Sequence, residues 1–349
     1  MKPPAGFPVD FVVLWVDGSD PEWQASKRRW QEAAGISTAT PAEEDANGAC
    51  RYNDNGLLRY WFRGVDRFAP WVRRVFFVTS GHQPPWLDES CPRLRVVSHS
   101  DFMPAKYLPT FNPRPVHFCL HLIPDLAEHF VLFDDDTFLL RPITPSLYFR
   151  KGLPRLPATL RMTAFRRDRN WHRILWNNFY EVNVLLDVSR SIQANGRKWF
   201  NPFVLGPRLA LSNAIRFRLN HNIPASDFGH LPHPHLKSTF AELWERCPAT
   251  LERTCMSRFR SHDQVNHWLA SSWNLATGRF WPRPPPRQRF VFDIATKTIA
   301  STCSAIRCQT TPQICINDSV AADNLDHCLP LLRQAFEDIL PGTSSFEAD

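Results

Sequence analysis

No stretch of about 18 consecutive apolar residues occurs in this chain, so no membrane-spanning helix is expected. The N-terminus, Met1-Lys2-Pro3-Pro4-Ala5-Gly6-Phe7, lacks the apolar core of a secretory signal. The nine cysteines are scattered and never form Cys-x-x-Cys, which argues against a structural zinc site and suits free thiols in a reducing cytoplasm. No arginine-rich tail or recognition-helix pattern is present, so nucleic acid is not an expected partner. No internal repeat is detectable.

Positive charge, by contrast, is in excess. Lys plus Arg number 41 against 34 Asp plus Glu, a net +7, which suits an enzyme that handles phosphates or works near an anionic membrane surface. At 349 residues and 43% apolar, the chain can bury a substantial core, in one large domain or two modest ones. Thirteen tryptophans and 31 prolines are unusually many. Tryptophan can stack on sugar faces, although most are expected in the core or at interfaces.

The first 150 residues read as alternating strands and helices. Asp10 to Val16 is an apolar run that ends in the turn signal Asp17-Gly18-Ser19-Asp20-Pro21. A helix and then a mobile loop are expected between Gln24 and Gly48. Leu57 to Phe68 has helical spacing, with Leu58, Trp61, Phe62 and Val65 on one face. Val75–Thr79 and Leu94–Val97 are the next strands, followed by a helix around Val116 to Ile123. Such β-then-α units predict an α/β fold: a Rossmann-like, GT-A-like, mostly parallel sheet flanked by helices, with irregular helical and loop insertions. Residues 1–150 would form the nucleotide-binding core, 151–225 a variable insertion, and 226–341 the rest of the catalytic site. Residues 342–349 read as a flexible polar tail, and Pro282 to Arg289 as an extended loop.

The last strand of that core, Phe130 to Phe133, runs into Asp134, Asp135 and Asp136. Three carboxylates at the end of a buried strand are costly unless a cation neutralises them, and a divalent cation held there can grip a nucleotide diphosphate. Ligands of open sheets sit beyond the carboxyl ends of the strands. The ends at Asp17-Gly18, Thr79-Ser80-Gly81 and Asp134–Asp136 are expected to converge on one rim. His230, His233 and His235 could alternatively hold zinc, but the intervening prolines make the segment extended and would splay the ligands.

Several motifs, in order, resemble those of the Stealth proteins. Trp15-Val16-Asp17-Gly18-Ser19-Asp20-Pro21 resembles the first signature region. Leu58-Arg59-Tyr60, Val78-Thr79-Ser80-Gly81, Leu108-Pro109-Thr110-Phe111-Asn112 and Phe133-Asp134-Asp135-Asp136 resemble the second. His230-Leu231-Pro232-His233 with Ser257-Arg258-Phe259-Arg260-Ser261 is similar to the third, and Cys315-Ile316-Asn317-Asp318 to the fourth. The resemblance implies a hexose-1-phosphate transferase of capsule or exopolysaccharide synthesis. Its donor would be a nucleotide-diphosphate sugar, and its acceptor a glycan or lipid-linked glycan at the inner face of the plasma membrane.

On that reading Asp135, Asp136 and Asp318 hold Mg²⁺ or Mn²⁺, and His230 takes the acceptor proton. Arg260 neutralises a phosphate. Asp17, Gly18, Arg59, Asn317 and His117 contribute to nucleotide or substrate binding. The family pattern reads Asn-Asp-Asp where this chain has Asp134-Asp135-Asp136, and it has glutamates at the positions of His117 and Leu57. Two other classes share the acidic strand end. A metal-dependent glycosyltransferase would release nucleoside diphosphate, and a non-catalytic glycan-binding assembly protein would bind without turnover.

Overall fold

A computed structural model describes residues 6–36, 47–48, 52–160, 170–220, 228–285, 291–317 and 324–348. Its centre is a five-stranded sheet in the order β3-β2-β1-β4-β8. The strands are β1 (Val9–Leu14), β2 (Val75–Thr79), β3 (Leu94–Ser98), β4 (His129–Phe133) and β8 (His233–Leu236). β1 pairs in parallel with β2 and β4, and β2 with β3, whereas β8 runs antiparallel to β4.

Both faces of this sheet are covered, and the side chains alternate accordingly. Phe11, Val13, Phe77, Val131 and Phe133 point into one core. There they meet the helix Leu58–Phe68, through Trp61, Phe62 and Val65, and the helices Ile299–Arg307 and Leu325–Ile339. Val12, Phe76, Val78, Phe130 and Leu132 face a second core built on Phe118, Phe240 and Trp273. Those residues belong to the helices Pro113–Cys119, Lys237–Arg246 and Trp268–Ala276. The expected insertion joins this second core through Leu156, Leu175, Phe179 and Trp199.

The sheets are mixed: the central one keeps three parallel pairings and one antiparallel edge, and the smaller sheets add further antiparallel pairs. β5 (Thr137–Leu139) follows β4 after a three-residue turn, too short for the crossover that a parallel neighbour requires. It leaves the central sheet and pairs antiparallel with β11 (Gln313–Asn317), which in turn runs parallel to β10 (Val291–Asp293). A third small sheet joins β6 (Phe149–Arg150), β7 (Leu153–Pro157) and β9 (Trp281–Arg283). Part of the expected proline-rich loop is therefore a strand, because Pro282 occupies a short edge where a missing N–H is tolerated.

The C-terminal residues are docked, not frayed. Phe346 is fully buried against Phe62, with ring centroids 5.3 Å apart. Glu347 forms a two-pronged ion pair with Arg63 at 2.9 and 3.0 Å. One aromatic anchor and one buried carboxylate with its partner hold the segment.

Candidate active site

In the central sheet β2 and β3 lie to one side of β1 and β4 to the other, so the strand order reverses between β1 and β4. A cleft opens at their carboxyl ends, where open α/β sheets bind ligands. The register pairs Val13 with Phe133, which sets Leu14 and Trp15 beside Asp134. The cleft, about 120 Å³, is lined by Trp15, Tyr52, Asn112, Asp134, Asp135 and Arg260 among others.

A tight turn presents the three aspartates. The Thr137 N–H and Oγ1 both donate to the Asp134 carbonyl, at 3.1 and 2.8 Å. The turn divides the carboxylates between two environments. Asp134 and Asp135 line the cleft, while Asp136 meets His230 and Cys315. His230 Nε2 lies 3.0 Å from Asp136 Oδ2 and its Nδ1 3.6 Å from Asp134 Oδ2. The Cys315 thiol donates to the same Asp136 oxygen at 3.4 Å. Cys315 reaches it because β11 pairs Cys315 with Thr137, and Ile316 N–H donates to the Asp136 carbonyl at 2.8 Å.

Arg260 comes from far along the sequence, and a buried amide delivers it. Asn112 Nδ2 donates to the carbonyls of Ser257 and Phe259 and to Gln264 Oε1, at 3.0, 3.1 and 3.1 Å. Phe111 stacks on Phe259 at 5.3 Å, and its N–H donates to the Arg258 carbonyl at 2.9 Å. The Arg260 N–H donates to Asn47 Oδ1 at 3.2 Å. The loop that carries the arginine is thereby fixed to the cleft wall.

The electrostatics follow from this crowding. Burial, with the charges of Asp136, Asp54 and Asp134 added, pushes the Asp135 carboxyl well above its ordinary range. Asp134 is raised by burial and by Asp136, against opposing pulls from His230 and Arg260. Burial would raise Asp136 too, but the His230 charge and the hydrogen bonds from His230 and Cys315 outweigh it and lower the pKa. The Asp136 charge, opposed by burial, holds the His230 imidazole protonated well above its ordinary 6.5. His99, also on the cleft wall, is pushed down to about 4 by burial and stays neutral.

The structure adds Asp54 and Cys315 to the groups that act on the aspartates, through the Asp54 charge on Asp135 and the Cys315 contact with Asp136. Asp54 precedes the helix Leu58–Phe68, where its carboxylate accepts from the Leu58 N–H at 3.2 Å. It reads locally as a helix cap, and only the tertiary structure shows its charge acting on Asp135.

Several expected site residues are engaged elsewhere. Asp17 Oδ1 accepts from the Ser19 N–H at 2.8 Å, closing a turn, and the Asp17 N–H donates to His82 Nε2 at 2.7 Å. Gly18 is packed against protein: a Cβ there would lie 2.2 Å from the Tyr52 carbonyl oxygen. Arg59 is exposed and lies 5.1 Å over the Trp86 ring. Asn317 donates to Asp293 Oδ1 at 2.9 Å. His117 is buried behind the cleft beside His267, with ring centroids 4.8 Å apart. Asp318 lies outside the described residues.

The residues present fit a divalent cation. Asp136 Oδ1 is buried without a hydrogen-bond partner, and one oxygen of Asp136 lies with His230 and Cys315 atoms all within 4.8 Å of one another. His233 and His235 belong instead to a buried cluster with His117 and His267. Among the described residues, no three ligand atoms of that cluster come close enough to hold an ion.

Carboxylates, an imidazole and a guanidinium gathered at a strand-order reversal are groups that could hold a phosphorylated ligand together with a divalent ion. Comparison with known proteins makes this specific. Residues 7–33 match the family model for Stealth protein conserved region 1, and residues 51–155 that for conserved region 2. A capsular polysaccharide phosphotransferase, WcwK, from Streptococcus pneumoniae is 35% identical over 339 residues, covering 97% of this chain and 98% of its own. A receptor polysaccharide phosphotransferase, WefC, from Streptococcus oralis is 33% identical, with 97% and 99% covered. An exopolysaccharide phosphotransferase, cps2G, from Lactiplantibacillus plantarum is 31% identical, with 98% and 96% covered. The chain belongs to the Stealth family.

Proposed function

We propose that this chain is a polysaccharide phosphotransferase: it moves a sugar-1-phosphate from a nucleotide-diphosphate sugar to a hydroxyl of a glycan acceptor, forming a phosphodiester in capsule or exopolysaccharide synthesis. The observation that carries the mechanism is the His230–Asp136 pair at 3.0 Å, set beside a cleft that holds Asp134, Asp135 and Arg260. The end-to-end likeness to named phosphotransferases supports the reaction class.

The acceptor oxygen attacks the β-phosphorus, and the bond from that phosphorus to the bridging oxygen breaks. Nucleoside monophosphate leaves, and the bond between sugar and phosphate oxygen stays intact. Little covalent work falls to the protein, so positioning and charge dominate. Arg260 faces the equatorial phosphate oxygens with its planar fork. His230 receives the acceptor proton in its neutral form, and Asp136 orients the ring. Asp135 and Asp136, with Asp318, would hold Mg²⁺ or Mn²⁺, oxygen ligands favouring a hard ion. Bound there, the ion would draw charge from the diphosphate and from Asp136, weakening the pull that keeps His230 protonated.

The cleft lined by Trp15, Asn112, Asp134, Asp135 and Arg260 would take the diphosphate, with nucleoside and sugar along its rim. The order β3-β2-β1-β4 around it supports a Rossmann-like or GT-A-like origin for the nucleotide side. A lipid-linked acceptor would place the enzyme in the cytoplasm at the inner membrane face. Incubation with a panel of nucleotide sugars, an acceptor glycan and Mg²⁺ or Mn²⁺ tests the reading. Release of nucleoside monophosphate is expected, and release of diphosphate would assign a glycosyltransferase instead.

A further inference from the structure

The segment 151–225 carries thirteen Lys and Arg against three Asp and Glu, a net +10 that exceeds the +7 of the whole chain. Within it lies the helix Pro207–Leu219, whose inner side is pinned by one buried amide. Asn213 accepts from the Leu160 N–H at 3.0 Å and donates to the carbonyls of Ala158 and Trp199 at 2.9 and 2.8 Å. The rotation of the helix is therefore fixed, and so is the face it turns outward.

That outward face is apolar. Leu211, Ile215 and Leu219, spaced i, i+4, i+8, are 63%, 51% and 82% exposed. Phe203, on the preceding helical turn Pro202–Leu205, is 97% exposed. A groove of about 540 Å³ runs along the stripe, and Arg208 and Arg216 line it too. Single exposed leucines are ordinary, but a continuous stripe that arginines border is not. An apolar stripe flanked by guanidiniums matches the boundary between headgroups and acyl chains of an anionic bilayer. No helix among the described residues is long and apolar enough to cross a membrane, so attachment by this face is superficial.

We propose that the helix Pro207–Leu219 seats this protein on an anionic phospholipid surface. Leu211, Ile215 and Leu219 enter the acyl boundary, and Arg208, Arg216 and Arg218 meet the headgroup phosphates. The inference rests on observations separate from the phosphotransfer reading, although it would bring that site to a lipid-linked acceptor.

Flotation of the full chain with vesicles tests it without any substrate. The protein is expected to float with phosphatidylglycerol–phosphatidylcholine vesicles, to stay behind with phosphatidylcholine alone, and to be released by high salt. Ile215→Asp with Leu219→Asp should cut the bound fraction at least tenfold. Arg208→Gln and Arg218→Gln should each cut it roughly fivefold. An unchanged thermal midpoint shows that these surface variants fold. Equal binding to both vesicle types, no binding, or full binding by the aspartate double variant would each overturn the proposal. So would a dimer that the double variant dissociates while vesicle binding persists, since that assigns the face to a second copy of the chain.

Discussion

Five histidines gather on one side of the central sheet, and two neighbourhoods treat them in opposite ways. His230 has carboxylates at 3.0 and 3.6 Å, and Asp136 holds it protonated. Only three residues on, His233 turns inward, where burial first and then the neighbouring His235 keep it neutral. His117, His235 and His267 share that fate, with His235 Nε2 3.2 Å from His267 Nδ1. The residue type is constant, so the neighbours decide the role. An imidazole beside a carboxylate at a cleft can exchange a proton with a ligand, whereas imidazoles packed largely edge to face in a buried core act as polar packing.

The sharpest way to break this contrast is to exchange the two groups' importance for turnover. His230→Ala and Asp136→Asn should each lower kcat by about 10³-fold with the fold retained. His235→Gln should leave kcat within about tenfold and lower the unfolding midpoint instead. Steady-state kinetics with circular dichroism on the same samples reads both. Equal losses in the two groups would erase the distinction.

A second test uses acid. His117 and His235 are pushed down to about 3 by burial, so the native state leaves them neutral while the unfolded chain protonates them near 6.5. The unfolded state therefore binds more protons below pH 6.5, and stability falls as pH falls. By pH 5 each of the two costs about 2 kcal/mol. Denaturant titrations at pH 7 and 5 should show the loss, and His235→Phe should remove about one proton's share of the slope. A pH-independent stability would mean that the cluster is already hydrated or charged.

The smallest expected effect separates site from scaffold at Gly18. Gly18→Ala forces its methyl group against the Tyr52 carbonyl and should cost about 1–3 kcal/mol of stability. The KM for the nucleotide sugar should change little in the folded fraction. A KM that rises sharply with unchanged stability would return Gly18 to the nucleotide pocket.

Much of the central sheet was legible in the sequence because its strands are unbroken apolar runs ended by turn residues. The helix Leu58–Phe68 matched its spacing, and the Asp134–Asp136 run marked the strand end that bears the cleft. The remainder depends on contacts that leave no local trace. His233-Pro234-His235 reads as extended, but only the structure shows it as an edge strand on β4, where the prolyl nitrogen needs no partner. The docked end from Gly342 to Glu347 looks like a polar tail because its anchors are one phenylalanine and one glutamate. Asp54, Cys315 and the amide of Asn112 act only across distances of chain that no pattern spans.

The central claim concerns one bond, and an isotope on the β-phosphorus follows it directly. With a nucleotide sugar labelled there, this protein, the metal and an acceptor glycan, the label should move into the glycan as a phosphodiester, leaving unlabelled nucleoside monophosphate. Label found in released nucleoside diphosphate, with an unlabelled glycan product, would contradict sugar-phosphate transfer.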